Sequence, residues 1–124
     1  MKLRLEQYPD AIVQAAQAAN ELEYQIAVVK QQLANLEAEA EVIVAFDNSL
    51  KNDLQRKARR HEVLQANPAY GAAQERFLQL ATEKANALAY LEHLRNHFSV
   101  AKLETRLRIV QQLTGLESRE LVGL

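Results

Sequence analysis

The fold is decided by the stretch between residues 19 and 43, which reads ANELEYQIAVVKQQLANLEAEAEVI. Its large apolar side chains recur alternately three and four residues apart, with Glu, Gln and Asn between them. This 3.5-residue period is typical of the seam of a left-handed coiled coil, in which apolar side chains of one helix insert between those of a facing helix. The stretch therefore predicts a long helix that packs along one face against a second helix.

The same spacing extends this first helix to residues 9–46. Pro9 and Asp10 suit a first helical turn, so Leu3 and Leu5 are expected in an extended arm before it. The pattern fails at Asp47, where the polar run Asp47–Ser49 favours a helix end. The predicted seam positions are Leu5, Tyr8, Ile12, Ala15, Ala19, Leu22, Ile26, Val29, Leu33, Leu36, Ala40 and Ile43.

Two further helices are predicted after this break. A short one covers about residues 50–65. A long one covers residues 68–114, because Asn67 is a good N-cap and Pro68 is tolerated at the first helical position. Gly115 is a favourable stop signal, so residues 115–124 are expected to form a tail or a last turn from Ser118.

The long last helix carries two apolar faces. The first is expected to face the seam of the first helix, and Phe77, Leu91 and Phe98 are its main seam residues. Its full membership is Tyr70, Ala73, Phe77, Leu80, Ala81, Leu88, Leu91, Leu94, Phe98 and Ala101. The second face is rotated and consists of Val100, Leu103, Leu107, Val110 and Leu113. This rotation predicts a second partner near the C-terminal end of the helix.

Together these elements predict an all-α fold: an elongated antiparallel helical hairpin, coiled-coil-like, that forms a single domain over residues 1–124. Two packed helices bury only one stripe each, which leaves several apolar side chains uncovered. Those in excess are Val13, Val28, Val42, Val44, Val100 and Leu107. Self-association covers them most simply, so we expect a homo-oligomer, with a two-fold dimer that forms a helical bundle as the first choice.

Composition excludes several classes of protein. The 124 residues contain no Cys, so disulfides, thiolate metal sites and cysteine nucleophiles are excluded. The net charge of −1 argues against binding nucleic acid over the whole surface. No apolar run approaches the roughly 20 residues of a membrane span, and charges interrupt residues 1–7, so neither a membrane segment nor a signal peptide is expected. The expected location is the cytoplasm.

Charge is nevertheless polarised along the chain. Residues 10–47 hold seven acids and one lysine, whereas residues 51–61 hold six basic side chains and one acid. The candidate phosphate contacts are Lys51, Arg56, Lys57, Arg59 and Arg60 in this segment, and Lys102, Arg106 and Arg108 in the last helix. The competing interpretation is that the basic segment pairs with the acidic first helix, through Glu37, Glu39, Glu41 and Asp47.

No catalytic or cofactor site is predicted. His93 and His97 share a helix face, as in zinc-binding helices, but Leu94 stands where the hydrolytic zinc motif requires Glu. The three glycines form no phosphate-binding loop. We therefore expect no enzyme activity, no cofactor and no bound metal.

Two segments resemble small helical proteins of bacteriophages and prophages, mostly uncharacterised, that are encoded near replication and recombination genes. They are KNDLQRKARRHE at residues 51–62 and FSVAKLETR at residues 98–106. The resemblance covers about residues 41–106 and implies a context of DNA metabolism, without assigning a role to any residue.

Two functional hypotheses follow. The first is a non-enzymatic structural or adaptor protein that acts through homo-oligomerisation and helix-mediated contacts with an unidentified protein partner. The alternative is an accessory nucleic-acid-binding protein of phage-type replication or recombination that uses the basic segment 51–61. Salt separates them, because phosphate binding weakens steeply with salt whereas an apolar interface does not.

Overall fold

The fold is an all-α hairpin, in which two long helices, joined by a short one, pack against each other. The computed structural model describes the backbone of residues 2–122 and the side chains of residues 2–116. Within that range, a short 3-10 helix, Leu5–Gln7, precedes helix α1, Tyr8–Ala45. Helix α2 spans Asp53–Ala66, and helix α3 spans Pro68–Val122. Among the described residues, no helix is both long and apolar enough to cross a membrane.

Polar side chains define the ends of these helices. After α1, the backbone N–H of Ser49 donates to Asp47 Oδ1 at 3.0 Å. Hydrogen bonds from Ser49, helped by Arg59, hold the pKa of the Asp47 carboxyl below its usual value. Helix α2 begins at Asp53, and not near residue 50 as predicted, because Asn52 accepts a hydrogen bond from the Gln55 N–H at 2.9 Å. The strongest local cap therefore sets the start of α2.

The predicted end of the last helix at Gly115 is wrong. Helix α3 continues through Gly115 and Ser118 to Val122, while Gly123 and Leu124 lie outside the described residues. Glycine ends a helix when it adopts a left-handed conformation, and Gly115 has no positive φ. A glycine that stays in the helix costs only about 1 kcal/mol relative to alanine, which the favourable residues around it can offset.

The tertiary contacts divide the chain into two compact units. The first, here called the connecting unit, is Ala19–Asn86 and contains all of α2. The second, here called the terminal unit, combines the segment that ends at Ala18 with the segment of α3 that begins at Ala87. Each unit has its own buried apolar cluster.

The connecting unit has Leu80 at its centre, with no exposed surface. Ile26, Val29 and Ala73 complete the buried cluster. The half-buried side chains around it are Leu22, Leu33, Leu36 and Phe77. Because these come from α1 and α3, their burial holds the two helices together in this unit.

The terminal unit has a smaller cluster, made of Ala15, Leu91 and Leu94. The N-terminal segment adds Leu3 to it, so this residue packs on the helices before the first helical turn begins. Tyr8 is buried and its ring stacks on Phe98, with centroids 5.5 Å apart. Alanine dominates the α1 side of this cluster, which allows close approach but buries little apolar area per residue.

Candidate interaction surfaces

The predicted seam residues are covered to different degrees. The buried ones are Ile26, Val29 and Leu91, the half-buried ones are Leu22, Leu33, Leu36, Phe77 and Phe98, and the exposed one is Ile43. Near the end of α1 the structure buries Val44, at 4% exposure, and leaves Ile43 at 46%. The covered positions there are the half-buried Leu36 and the buried Ala40 and Val44, which are four residues apart, because a straight helix drifts from a strict 3.5-residue repeat. Ile43 therefore lies outside the buried face of α1 within this chain.

The arginines of α2 form ion pairs with acidic side chains of the connecting unit. Arg56 Nη1 lies 2.9 Å from Asp53 Oδ1, and Arg59 lies 3.4 Å from Glu62 Oε2 and 3.9 Å from Asp47 Oδ2. Arg60 pairs with Glu41 of α1. Two of the acids that the sequence offered as partners, Glu41 and Asp47, thus contact this segment. Lys51 and Lys57 are exposed and make no ion pair with any described residue.

The remaining basic candidates lie in the terminal unit. Lys102 places its Nζ 4.5 Å from the centre of the Phe98 ring, a cation–π contact on the edge of the aromatic stack. Arg106 and Arg108 are exposed and form no ion pair with the described residues. Glu104 lies between Lys102 and Arg106 in the sequence, and its Oε2 lies 3.6 Å from Lys2 Nζ. The structure therefore separates the predicted basic residues into two groups that belong to different units.

A groove opens between the N-terminal segment and α3 in the terminal unit. It has a volume of about 750 Å³ and is lined by Tyr8, Tyr90, His93 and His97, among others. The two imidazole rings lie with their centroids 4.1 Å apart. Among the described residues, no group of three or more His, Cys, Asp or Glu side chains is placed to hold a metal ion. Two imidazoles alone supply fewer ligands than the three or four of typical protein zinc sites.

The largest concentration of exposed apolar side chains lies on α3 in the terminal unit. Seven such residues between 100 and 116 have exposed fractions of 49% to 62%: Val100, Leu103, Leu107, Ile109, Val110, Leu113 and Leu116. None of them belongs to either buried cluster of the described residues. The sequence predicted the rotated face but neither Ile109, which lies outside that face, nor Leu116, which follows the predicted helix end at Gly115.

These seven residues form two faces of the helix. Val100, Leu103, Leu107 and Val110 are spaced three, four and three residues apart, which places them on one face, here called the α3 strip. Ile109, Leu113 and Leu116 lie on another face, which continues the direction of Leu91 and Leu94. The helix therefore presents apolar side chains on two sides, a pattern more typical of a covered helix than of a solvated one.

Comparison with known proteins provides no relative. No protein-family model matches the chain, and no curated protein or solved structure is significantly similar to it.

Proposed function

We propose that this chain is a non-enzymatic structural or adaptor protein that acts through homo-oligomerisation and through helix-mediated contacts with other proteins. The observation that supports it is the run of seven half-exposed apolar side chains on α3 between Val100 and Leu116. Apolar surface of this kind is costly in water, and a protein partner removes the cost.

The size of this surface suits a protein partner. A large aliphatic side chain at such exposure presents on the order of 100 Å² of apolar area, so seven present about 700 Å². Monomeric proteins rarely leave a contiguous apolar patch larger than about 300–600 Å², and a specific interface covers about 800 Å² on each partner. This area is divided over two helix faces, about 400 Å² on the α3 strip and about 300 Å² on the other, and each is as large as the largest apolar patch of a typical monomer, which is often functional.

The alternative, an accessory nucleic-acid-binding protein, is favoured by a narrower observation. Lys51, Lys57, Arg106 and Arg108 make no ion pair with the described residues and could contact phosphates. The ion pairs of Arg56, Arg59 and Arg60 with acids of the same chain argue against this alternative. Nucleic acid would have to displace those acids or bind with fewer cations.

Light scattering and sedimentation velocity across protein concentration, at low and high salt, test the two functions. We expect a dimer or small oligomer that persists at high salt, with or without a duplex or single-stranded oligonucleotide. A protein that stays monomeric at all concentrations would contradict the proposal. A complex with oligonucleotide that dissociates as salt rises would favour the alternative.

A further inference from the structure

We propose that His93 and His97 form an open chelate for one transition-metal ion per chain, with Cu²⁺ as the ion bound most tightly. Both residues line the groove between the N-terminal segment and α3, and their ring centroids lie 4.1 Å apart. The expectation of no bound metal rested on Leu94, which stands where the hydrolytic zinc motif has Glu. A site that only holds an ion does not require that Glu, because the Glu serves as the general base of the reaction.

The spacing of the two histidines on α3 suits chelation. Residues four apart on a helix are neighbours on one face, and zinc-binding helices use the same spacing for two of their ligands. Two imidazoles that share an ion through bonds of about 2.0–2.1 Å have ring centres about 4.5–5 Å apart. The observed separation of 4.1 Å differs from this by less than about 1 Å, which small side-chain rotations can supply.

The nitrogen atoms of both rings are available to an ion. Within the described part of the chain, no residue forms a hydrogen bond or an ion pair with either imidazole. Both side chains are exposed, so an ion can reach them from solvent. Leu94, between them in the sequence, is buried and packs with Leu91 and Ala15, which fixes this part of α3. The two donors therefore lie on a rigid backbone, and binding an ion requires little ordering.

The charges of the groove are compatible with a bound cation. Its charged residues are Lys2 and Glu104, whose Nζ and Oε2 atoms lie 3.6 Å apart. Because these two charges offset each other, an ion at the imidazoles meets no excess of positive charge. The phenols of Tyr8 and Tyr90 also line the groove. Since the chelate supplies two ligands, water or a small exchangeable ligand in the groove fills the other coordination positions.

The donor set favours Cu²⁺ over other divalent ions. Imidazole suits Cu²⁺, Ni²⁺ and Zn²⁺, and affinity rises from Ni²⁺ to Cu²⁺ and falls again at Zn²⁺. Cu²⁺ accepts nitrogen and oxygen donors in a tetragonal arrangement, whereas a structural zinc site has four protein ligands. Mg²⁺ prefers oxygen ligands. We therefore expect the tightest binding for Cu²⁺, weaker binding for Ni²⁺ and Zn²⁺, and none for Mg²⁺ at this pair.

Calorimetric titration of the untagged full chain with CuCl₂ tests the site. We expect one Cu²⁺ per chain, and an affinity lower by about ten-fold or more in His93→Ala and in His97→Ala, because either change removes the chelate. His61→Ala removes the third histidine of the chain, on α2, and is the matched control that should leave the affinity unchanged. Electron paramagnetic resonance of the wild-type complex should show coupling of Cu²⁺ to two imidazole nitrogens.

A rearranged pair distinguishes chelation from the mere number of histidines. The double variant Arg95→His with His97→Ala keeps three histidines, but positions 93 and 95 lie on different faces of the helix. It should bind Cu²⁺ as weakly as His97→Ala alone. Far-UV circular dichroism should be the same in every variant, because all the substituted side chains are exposed.

Three results would overturn the inference. They are an equal loss of affinity in His61→Ala and His93→Ala, full affinity in the double variant, and coupling of Cu²⁺ to a single nitrogen. None of them bears on the proposed function, because self-association does not require the ion. Conversely, a chain that stays monomeric at all concentrations would contradict the proposed function and leave the chelate standing.

Discussion

The connecting unit and the terminal unit use the same kind of helix but dispose of their apolar side chains differently. In the connecting unit, Leu80 is completely covered, and charged pairs such as Glu23–Lys84 join α1 to α3 at the border of the cluster. In the terminal unit, the buried ring of Tyr8 at the start of α1 stacks on Phe98 of α3. Beyond Phe98, α3 continues with aliphatic side chains that are exposed by 49% to 62%.

This difference separates apolar side chains that are buried within the chain from apolar side chains that stay half-exposed. A side chain that is buried within the monomer stabilises the fold and has nothing left to offer a partner. A side chain that stays half-exposed contributes its burial free energy only when a partner arrives. The buried side chains of the connecting unit therefore stabilise the fold, and the half-exposed side chains of α3 between Val100 and Leu116 form the surface for which we propose a function.

The largest effect on stability is expected at the centre of the connecting unit. Leu80→Ala removes a fully covered side chain and leaves a cavity, so the free energy of unfolding should fall by about 3 kcal/mol. Urea unfolding followed by far-UV circular dichroism measures this loss. Leu78→Ala, two residues away and exposed by 66%, is the matched control and should change little. Equal losses in the two variants would contradict the closed cluster.

A smaller effect is expected in the terminal unit. Phe98→Ala removes the ring that stacks on Tyr8 and makes a cation–π contact with Lys102. Because Phe98 is only half-buried, the free energy of unfolding should fall by about 2 kcal/mol. Hydrogen exchange should increase in the peptides around Tyr8 and residues 87–104 more than in the connecting unit. Phe46→Ala, at a phenylalanine exposed by 82%, should have almost no effect. Uniform loss of protection over both units would remove the distinction between them.

The capping of α2 should contribute about 1 kcal/mol. Asn52→Ala deletes the acceptor for the Gln55 N–H at the start of this helix, and N-cap substitutions of this type cost about that amount. The expected result is faster amide exchange in the first turn of α2, with little change in the terminal unit. Asn48→Ala, in the same connection but without a side-chain cap, is the control. If both variants behaved alike, Asn52 would not be what sets the start of α2.

The smallest effect is expected for the Glu23–Lys84 pair and should depend on pH. The hydrogen bond and charge of Lys84 lower the pKa of Glu23 from its ordinary value of 4.5. A carboxyl whose pKa is lower in the folded state stabilises the fold above its unfolded pKa, and this stabilisation is lost as the pH falls below about 4.5. Glu23→Gln should therefore lower the urea midpoint slightly at pH 7 and less at pH 3.

The control for this pair is Glu39→Gln on the same helix. Glu39 is exposed and has no ion-pair partner among the described residues. Its substitution should leave the difference between the two pH values unchanged. A larger effect of Glu23→Gln at pH 3 than at pH 7 would reverse the expected sign and exclude Lys84 as the cause.

The helical hairpin could be predicted from the sequence, whereas several details of the surfaces could not. The alternation of three and four residues from Leu22 to Ala40 is a local property of the chain, and it indicates which face of α1 is apolar. At the end of α1 the same pattern predicted Ile43 on the covered face, whereas the structure buries Val44 there. Gly115 likewise read as a stop, although its effect depends on a conformation that this helix does not adopt.

The basic segment illustrates a different limit. The sequence offered two roles for Arg59 and Arg60, phosphate binding or pairing with acids of the first helix. Only the tertiary structure could place them beside Asp47 and Glu41, because those contacts join residues that are 12 and 19 positions apart. Charge by itself does not reveal which acids lie within reach.

The helices, their apolar faces and the hairpin follow from local sequence, because periodicity and capping act within a few residues along the chain. Which of those apolar faces are covered depends on the tertiary structure. Leu80 and Leu107 are the same residue type on the same helix, yet one is fully buried and the other is exposed by 58%. The difference arises because burial depends on whether another segment lies opposite, which is a property of the folded chain and not of its local sequence.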